Sequence, residues 1–540
     1  MKNFPLLLIS TLLFISCSKT DSDNDVKDNV ELNFTQFEAT LSSGKKSIGV
    51  IDEINKQISL PNITDPLEIV SVIYRYSDAV SIITPNPDTR IGKWELIEKF
   101  RLHSGENYEE YTVEIVDFEE PTYNQATIAP LETFGTTIKY HMIDLNEDPT
   151  DITVAKANVG FNEKGMNGIR FPLYCGDKFG GHPSEGVVLE DVYIKPLTSL
   201  ENAKAAYSGS EPFMIFLGIK VLTSNKAEMF PDWVTTDKDD IPNPEKYAQL
   251  IVDFITFMDK KGHTINAFAF DKESVRMGID DFKIAVDTLR ARTARLGFVV
   301  PKIVAPELLD PQGDKPSGYM NTLYNKGFQD RYDIFGNHYY QRDHTEDGFA
   351  KLKYEFDLAQ SDKARSQWAT EPHWNGDPDV WVAETAIGAM FDHTDLGLEA
   401  FMWWDYPITG GVKPKQSIMR AYSDAIHRST PIRMIDHDGE ETFTKGKLHT
   451  RAYIRGNEVN VFLINVVNPN IAGLVPISYE DYVVGVLDDF KIDGNVIVRQ
   501  WRDDISVEGE YSSIEPVSDN QLLLDIPTGS FIQLTFEITN

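Results

Sequence analysis

The sequence predicts a central (β/α)8 barrel of the α/β class, with a β-sandwich before it and a second β-sandwich after it. Within residues 119–428, apolar strand candidates recur about every 30 to 50 residues and alternate with amphipathic helices. Residues 31–118 and 429–540 instead carry short alternating strands separated by turn residues. Strands that alternate with helices favour a parallel sheet, whereas successions of short strands favour a sandwich.

The first 30 residues are not expected to belong to the fold. Lys2 precedes an apolar run at 7–15, and Ile15-Ser16-Cys17 has the small residues of a cleavage site. Residues 1–17 resemble a bacterial lipoprotein signal peptide with Cys17 as the acylated mature N-terminus. The alternative is an ordinary secretory peptide with an incidental cysteine. Residues 18–30 are rich in aspartate and predict a flexible tether. The acidic tether resembles that of surface-exported Bacteroidetes lipoproteins, which implies a lipid-anchored protein at the cell outer membrane.

The net charge and the cysteine content limit which partners the protein can bind and whether it can form a disulfide. The formal net charge is −33, which predicts a soluble surface that does not bind nucleic acid. The only cysteines are Cys17 and Cys175, so lipidation of the first leaves no internal disulfide. The membrane is therefore expected to be a partner through the anchor alone.

Residues 31–118 predict an Ig-like β-sandwich. Turn residues such as Ser43-Gly44 and Leu60-Pro61-Asn62 interrupt short alternating runs over roughly 90 residues. The segment carries no constellation of catalytic side chains, so we expect a spacer.

The barrel segment 119–428 carries seven clear strand candidates and a less regular first one. Helix signals lie between them: Pro244 opens one amphipathic pattern and Gly262 closes it. Seven clear repeats plus one favour a closed barrel over an open sheet. The strand candidates are 136–143, 168–173, 213–219, 265–270, 299–305, 332–338, 366–370 and 398–404.

The segment 429–540 returns to strands. Residues 450–454 lead through Gly456-Asn457 into 459–466, which predicts a hairpin. Further strands at 496–501 and 531–538 predict a second β-sandwich packed on the barrel.

Two carboxylates lie at the C-terminal ends of different barrel strands. Ile265 to Phe270 leads into Asp271-Lys272-Glu273, and Gln367 to Thr370 leads into Glu371. Barrel enzymes carry their chemistry at these strand ends. A carboxylic acid and a carboxylate that face each other are what a retaining glycosidase requires. Glu371 is the candidate nucleophile and Glu273 the candidate acid/base.

The order of these motifs resembles clan A glycoside hydrolases, most of all glycoside hydrolase family 30. The motifs are the strand before Glu273, a strand ending in Gly336-Asn337-His338-Tyr339-Tyr340, the segment Trp368-Ala369-Thr370-Glu371, and a last strand ending in Phe401-Met402-Trp403-Trp404. The resemblance covers roughly residues 119–540. It implies a retaining mechanism with Glu273 as acid/base and Glu371 as nucleophile, and it implies no metal and no organic cofactor.

The resemblance also implies substrate contacts. Arg170 ends the second strand, where this clan often carries an arginine that orients the nucleophile; the alternative is a salt bridge inside the barrel. His338 is expected beside the nucleophile or the substrate, and His182 is a candidate for a subsite wall. Aromatic side chains stack on sugar rings, and the candidates are Trp404, Tyr340, Trp374 and Trp233.

One position departs from the family pattern. The clan has Asn-Glu-Pro at the acid/base position, whereas this chain has Lys272-Glu273-Ser274. A neighbouring lysine would lower the glutamate pKa and oppose its role as an acid. Lys272 therefore points away, binds an anionic group of the substrate, or marks lost catalysis, and Asp271 is a rival for the acid role.

The functional hypothesis is a retaining β-glycosidase that hydrolyses a polysaccharide or its oligosaccharides. Lys272 suggests that the glycan is anionic, either uronic or sulfated. Two alternatives remain: an agarase- or porphyranase-type endo-hydrolase, and a surface glycan-binding protein whose barrel no longer cleaves.

Overall fold

The computed structural model describes residues 31–540, with gaps at 43, 64–65, 106, 117–124, 146–150, 176–178, 221–229, 236–240, 272–276, 308–315, 339–345, 373–379, 381, 405, 410–412, 436–447, 467–477, 488 and 503–506. The chain divides into two compact units, Met1–Thr122 and Tyr123–Asn540.

The N-terminal unit consists of two β-sheets that share one apolar core. Strands β2-β1-β5 form one sheet and β3-β4-β8-β7-β6 form the other. Phe34, Phe37, Trp94, Phe100 and Tyr111 lie at the centre of the core. The strands are β1 Phe34–Leu41, β2 Lys46–Ile48, β3 Val50–Asp52, β4 Gln57–Leu60, β5 Ile69–Tyr76, β6 Ile82–Thr84, β7 Ile97–Ser104 and β8 Asn107–Ile115.

The second unit contains the predicted closed barrel of eight parallel strands, which is confirmed. Its order follows the sequence, and the last strand pairs with the first. The first strand, whose sequence pattern was irregular, carries the buried polar residues His141 and Asp144. The barrel strands are β10 Tyr140–Asp144, β11 Gly168–Leu173, β12 Met214–Ile219, β13 Ala267–Ala269, β14 Lys302–Pro306, β15 Ile334–Asn337, β16 Ser366–Ala369 and β17 Leu398–Phe401.

Eight α-helices accompany the described barrel strands. In α3, the Asn243 side chain accepts a hydrogen bond from the Lys246 N–H, Pro244 occupies the first turn, and Gly262 follows the helix with a φ of 79°. These are the start and stop signals that the sequence predicted. The helices are α1 Val154–Ala157, α2 Glu190–Ala206, α3 Pro244–Lys260, α4 Ile279–Arg295, α5 Pro316–Asn325, α6 Glu346–Ala359, α7 Val382–Asp395 and α8 Pro414–Ile426.

A nine-stranded sheet forms the remaining part of this unit. Its order is β23-β22-β25-β20-β19-β18-β9-β21-β24, and its two ends contribute to one apolar core. The predicted hairpin is present as β19 and β20. The strands are β9 Gln125–Thr133, β18 Thr430–Ile435, β19 His449–Arg455, β20 Glu458–Asn465, β21 Tyr479–Val486, β22 Lys491–Trp501, β23 Glu510–Ile514, β24 Gln521–Ile526 and β25 Ser530–Thr539.

Strand β9 corrects the predicted boundary of the barrel at residue 119. It precedes the barrel in sequence, yet it pairs with β18 and β21 of the nine-stranded sheet. The barrel strands begin only at Tyr140. The pairing joins segments about 300 residues apart in the sequence, and alternation within one strand carries no information about so distant a partner.

Successive barrel residues face opposite sides of the wall. One side belongs to a small interior cluster that includes Met142, Phe216, Val304 and Trp368. The other side packs against the helices in the large core of the unit. This alternation determines which strand-end side chains enter the barrel mouth. No helix among the described residues is long and apolar enough to cross a membrane.

Candidate active site

Arg170 lies at the centre of the candidate site. It is on β11, its cross-strand partner on β10 is Asp144, and its side chain has no exposed surface. Gly218 on the next strand leaves room for it, because a Cβ at position 218 would be only 2.5 Å from the Arg170 Nε. A buried guanidinium is stable only with counterions, and the barrel supplies three carboxylates.

Glu371, the predicted nucleophile, is one of these carboxylates. It follows β16, the seventh barrel strand, and is 1 % exposed. Arg170 Nη1 donates a hydrogen bond to Glu371 Oε2 and lies 3.3 Å from the Thr370 carbonyl oxygen. The arginine therefore holds both the nucleophile candidate and the backbone just before it.

Asp144 and Glu307 are the other two carboxylates, and neither is among the site residues predicted from the sequence. Asp144 Oδ2 lies 3.3 Å from Arg170 Nη1, and Glu307 Oε1 lies 2.9 Å from Arg170 Nη2. Each comes at the C-terminal end of a barrel strand, Asp144 as the last residue of β10 and Glu307 directly after β14. That is the same signal that singled out Glu371, and it would have found them.

His338, predicted to lie near the nucleophile, follows β15 and is fully buried. Its Nε2 is 3.5 Å from Glu371 Oε2 and 3.3 Å from Glu307 Oε1. His338 and Arg170 thus both contact the same two glutamates. Four barrel strands contribute to this arrangement within a few ångströms.

The electrostatics of the site favour ionised carboxylates. Burial raises the pKa of Glu307, but Arg170 and His338 outweigh burial, so the pKa lies below its usual value. Burial likewise opposes the charge of Arg170, but Asp144, Glu371 and Glu307 raise its pKa above the usual range. The guanidinium is therefore a permanent cation surrounded by three acidic groups.

Asp271, the rival for the acid role, follows β13 and is 5 % exposed. Its Oδ2 accepts a hydrogen bond from the Tyr319 hydroxyl at 3.1 Å. Burial raises the pKa of Tyr319 well above its usual value, and the Asp271 charge adds to the shift. Tyr319 therefore remains a donor to this carboxyl.

Trp404 is partly exposed just beyond β17, and its backbone N–H donates to the Pro372 carbonyl oxygen at an N···O distance of 3.2 Å. The predicted sugar platform thus follows the same edge of the barrel as Glu371. His182 is instead buried: its Nε2 lies 2.8 Å from the Tyr193 hydroxyl, and its carbonyl accepts from Trp233 Nε1 at 2.9 Å. His182 thus contacts other protein side chains, whereas Trp233 remains partly exposed.

Several predicted positions lie outside the described residues. They are Glu273, Lys272, Tyr340, Trp374 and Cys17. Among the residues that are described, no group of three or more His, Cys, Asp or Glu side chains is arranged to hold a metal ion.

No protein-family model and no curated protein matches the chain, but solved structures resemble it. A GH30 endoxylanase from Clostridium papyrosolvens C71 aligns with a TM-score of 0.52 and 12% identity, over 76% of this chain and 100% of its own. SrfJ from Salmonella typhimurium aligns with a TM-score of 0.51 and 12% identity, over 79% of this chain and 96% of its own. A glucosidase from Croceicoccus marinus aligns with a TM-score of 0.51 and 10% identity, over 77% of this chain and 99% of its own.

The chain has a glycoside hydrolase fold. The alignments include 96–100% of the matched structures but only 76–79% of this chain. The chain therefore contains a segment that those structures lack. At this level of identity the likeness establishes the barrel with its β-rich sheet. The activity has to be argued from the side chains of the site.

Proposed function

We propose that the protein is a retaining β-glycosidase that hydrolyses a polysaccharide or its oligosaccharides. The observation that carries the proposal is that two basic side chains contact the same carboxylate oxygen of Glu371. Arg170 from the second barrel strand and His338 from the sixth both contact Oε2 of a carboxylate at the end of the seventh. Two nitrogens on one oxygen orient a nucleophile and favour its ionised form.

In the proposed mechanism, a carboxylate oxygen of Glu371 forms a bond to the anomeric carbon while the bond from that carbon to the leaving oxygen breaks. The leaving oxygen takes a proton from the acid/base residue. Water, deprotonated by the same residue, then attacks the anomeric carbon and releases Glu371. Because Arg170 and His338 hold Oε2, Oε1 of Glu371 is the candidate attacking atom.

Glu273 is the proposed acid/base residue because it comes after the fourth barrel strand in the sequence, three strands before the strand that ends at Glu371. Asp271 is less suited to this role because its Oδ2 already accepts from Tyr319, an interaction that stabilises the ionised form of a carboxyl. Retention requires about 5–5.5 Å between the carboxyl groups of Glu273 and Glu371, whereas roughly 6.5–9.5 Å would indicate inversion.

The charge of the substrate is the finer part of the proposal. Lys272 supports an anionic sugar, uronic or sulfated, and an agarase- or porphyranase-type endo-hydrolase is a separate alternative within the same enzyme class. The described charges around Arg170 oppose this, since three carboxylates face one guanidinium and the whole chain carries −33. We therefore favour a neutral sugar at the cleaved linkage, and place any anionic group in a neighbouring subsite near Lys272.

Xylan and glucosides are suitable first neutral substrates, because an endoxylanase and a glucosidase are among the similar structures. The Trp404 ring at the barrel mouth supports a sugar platform. For the location, we propose acylation at Cys17 with display at the outer membrane, where the N-terminal unit would act as a spacer.

A non-catalytic glycan-binding protein is the competing function, and the replacement of the family's Asn-Glu-Pro by Lys272-Glu273-Ser274 favours it. The decisive experiment incubates the purified chain with neutral and anionic polysaccharides, and measures reducing ends and affinity on the same samples. We expect new reducing ends that disappear in Glu371→Gln. Binding without any reducing ends would favour the competing function.

The chemical identity of the nucleophile is tested separately. Dinitrophenyl fluoroglycosides of glucose, galactose and xylose trap a retaining nucleophile as a stable ester, which intact mass detects. We expect the label on Glu371, and Glu371→Ala should not be labelled. Glu355→Gln, at a buried glutamate of α6, is the matched control and should be labelled like the parent. Label on any other residue would remove Glu371 from the proposed role.

A further inference from the structure

Glu307 has an unusual position for a barrel glutamate. It follows β14, where Ile303 and Ala305 face the helices and Val304 faces the interior. Continued alternation would turn residue 307 outward. Its φ of 55° is left-handed, however, and its N–H bonds to the Gly336 carbonyl oxygen at 2.7 Å. A left-handed backbone at a residue other than glycine is uncommon and often marks a functional site.

This turn directs the Glu307 carboxylate into the barrel. The side chain is buried, and its Oε1 lies 2.9 Å from Arg170 Nη2 and 3.3 Å from His338 Nε2. Both of these groups also contact Oε2 of Glu371. Arg170 and His338 therefore each bridge the two glutamates. Fixing Glu307 fixes the two groups that orient the nucleophile.

The charge of Glu307 is also needed when the charge of Glu371 is absent. In the free enzyme, Arg170 faces three carboxylates, Asp144, Glu307 and Glu371. Once Glu371 forms an ester with the sugar, that carboxylate is neutral and its ion pair with Arg170 is lost. Glu307 and Asp144 remain, so the buried guanidinium keeps its counterions throughout the cycle. A buried charge that loses its partner is strongly unfavourable.

We propose that Glu307 is a positioning residue: it holds Arg170 and His338 against Glu371, and it acts as the counterion of Arg170 in the glycosylated enzyme. This inference rests on the proposed retaining mechanism. Glu307 is buried beneath the site and acts through Arg170 and His338 rather than on the sugar. Its loss should therefore lower the rate of the chemical steps and leave substrate binding unchanged.

The test compares Glu307→Gln with the parent and with Glu355→Gln, using the fluoroglycoside that labels the parent fastest. Glutamine keeps the size of the side chain and an acceptor oxygen but removes the charge. We expect the maximal labelling rate of Glu307→Gln to fall about 100-fold, as for a misplaced catalytic group. The concentration for half-maximal labelling should stay within about twofold, because interactions made only in the transition state affect rate and not binding. Glu355→Gln should match the parent in both.

The outcomes separate this inference from the proposed function. If no fluoroglycoside labels the parent and no glycan is hydrolysed, both are overturned. If the parent is labelled on Glu371 and Glu307→Gln is labelled at the same rate, the positioning role alone is overturned. A higher concentration for half-maximal labelling with an unchanged maximal rate would also overturn the positioning role, because it would assign Glu307 to substrate binding.

A second measurement does not depend on the folding of the variant. In a crystal structure of the labelled parent, Glu307 Oε1 should remain within hydrogen-bond distance of Arg170 Nη2 and His338 Nε2. An Arg170 side chain that has left Glu307 in the adduct would overturn the counterion role.

Discussion

Replacing Gly218 by alanine should impair catalysis without any change in a charged residue. A Cβ at this position would lie 2.5 Å from Nε, 3.3 Å from Cγ and 3.4 Å from Cδ of Arg170. Ordinary contact begins near 3.4 Å, so Nε would have to move by 3.4 − 2.5, or about 0.9 Å. Neighbouring strands fix the β12 backbone, so the side chain of Arg170 is the part that moves.

A displacement of this size is large for a group that orients a nucleophile. A 1 Å misplacement costs about 100-fold in rate, which corresponds to about 2.7 kcal/mol of activation free energy. We therefore expect kcat/KM of Gly218→Ala to fall about 100-fold on the glycan that the parent hydrolyses fastest. Overpacking should lower stability by about 1–3 kcal/mol, which thermal unfolding will register.

The matched control is Gly485→Ala in β21 of the nine-stranded sheet. Its new methyl group would meet Thr127 Oγ1 at 3.5 Å, an ordinary contact, so activity should be unchanged. Parent-like activity in a folded Gly218→Ala would refute the reasoning, because it would mean that Arg170 can move by this distance without consequence for Glu371.

Three further predictions concern stability and location. Arg451→Met should lower the free energy of unfolding in urea by about 3–5 kcal/mol. The substitution leaves Asp395 buried without the guanidinium that donates two hydrogen bonds to it, of 3.0 and 2.7 Å. Adding Asp395→Asn should recover part of the loss, and no recovery would contradict the ion-pair explanation. Burial lowers the pKa of His182 from 6.5 to about 4. As the pH falls, the His182 imidazole is therefore protonated in the unfolded chain before it is protonated in the folded one, and up to about 3 kcal/mol of stability should be lost between pH 6.5 and 4. His182→Gln should flatten that pH dependence of the melting temperature, and an unchanged slope would assign the effect to other groups. Cys17→Ala should move the protein from the membrane to the soluble fraction with its activity unchanged, whereas a variant that still sediments with membranes would refute the lipid anchor.

The barrel was predictable because its strands are buried on both faces. Such strands are continuous apolar runs that stand out between amphipathic helices, as in Met214–Ile219, where all six residues are buried. The capping residues Asn243, Pro244 and Gly262 likewise act locally, and the sequence alone located the ends of α3. Strand β9 was assigned to the wrong segment because its partners lie about 300 residues away.

The site was only partly predictable, and Glu307 shows why. Its position at the end of β14 can be predicted from the sequence, but alternation along the strand would place its side chain on the outer face, whereas the structure has it at Arg170 with a left-handed φ of 55°. A single backbone angle of this kind has no sequence signature when the residue is not glycine. Glu371 was predictable because the buried strand Ser366–Ala369 leads through Thr370 directly into it.

The charge of Arg170 offers a more general route from sequence to site. An arginine in the middle of a buried barrel strand, Gly168–Leu173, requires carboxylates close by, because an unpaired buried guanidinium is strongly unfavourable. In a parallel barrel the available positions are the strand ends on the same side. Searching those ends for acidic residues yields Asp144, Asp271, Glu307 and Glu371, of which all but Asp271 contact Arg170. The electrostatic requirement of one buried cation thus identifies the acidic residues around it, including the two that periodicity alone did not reveal.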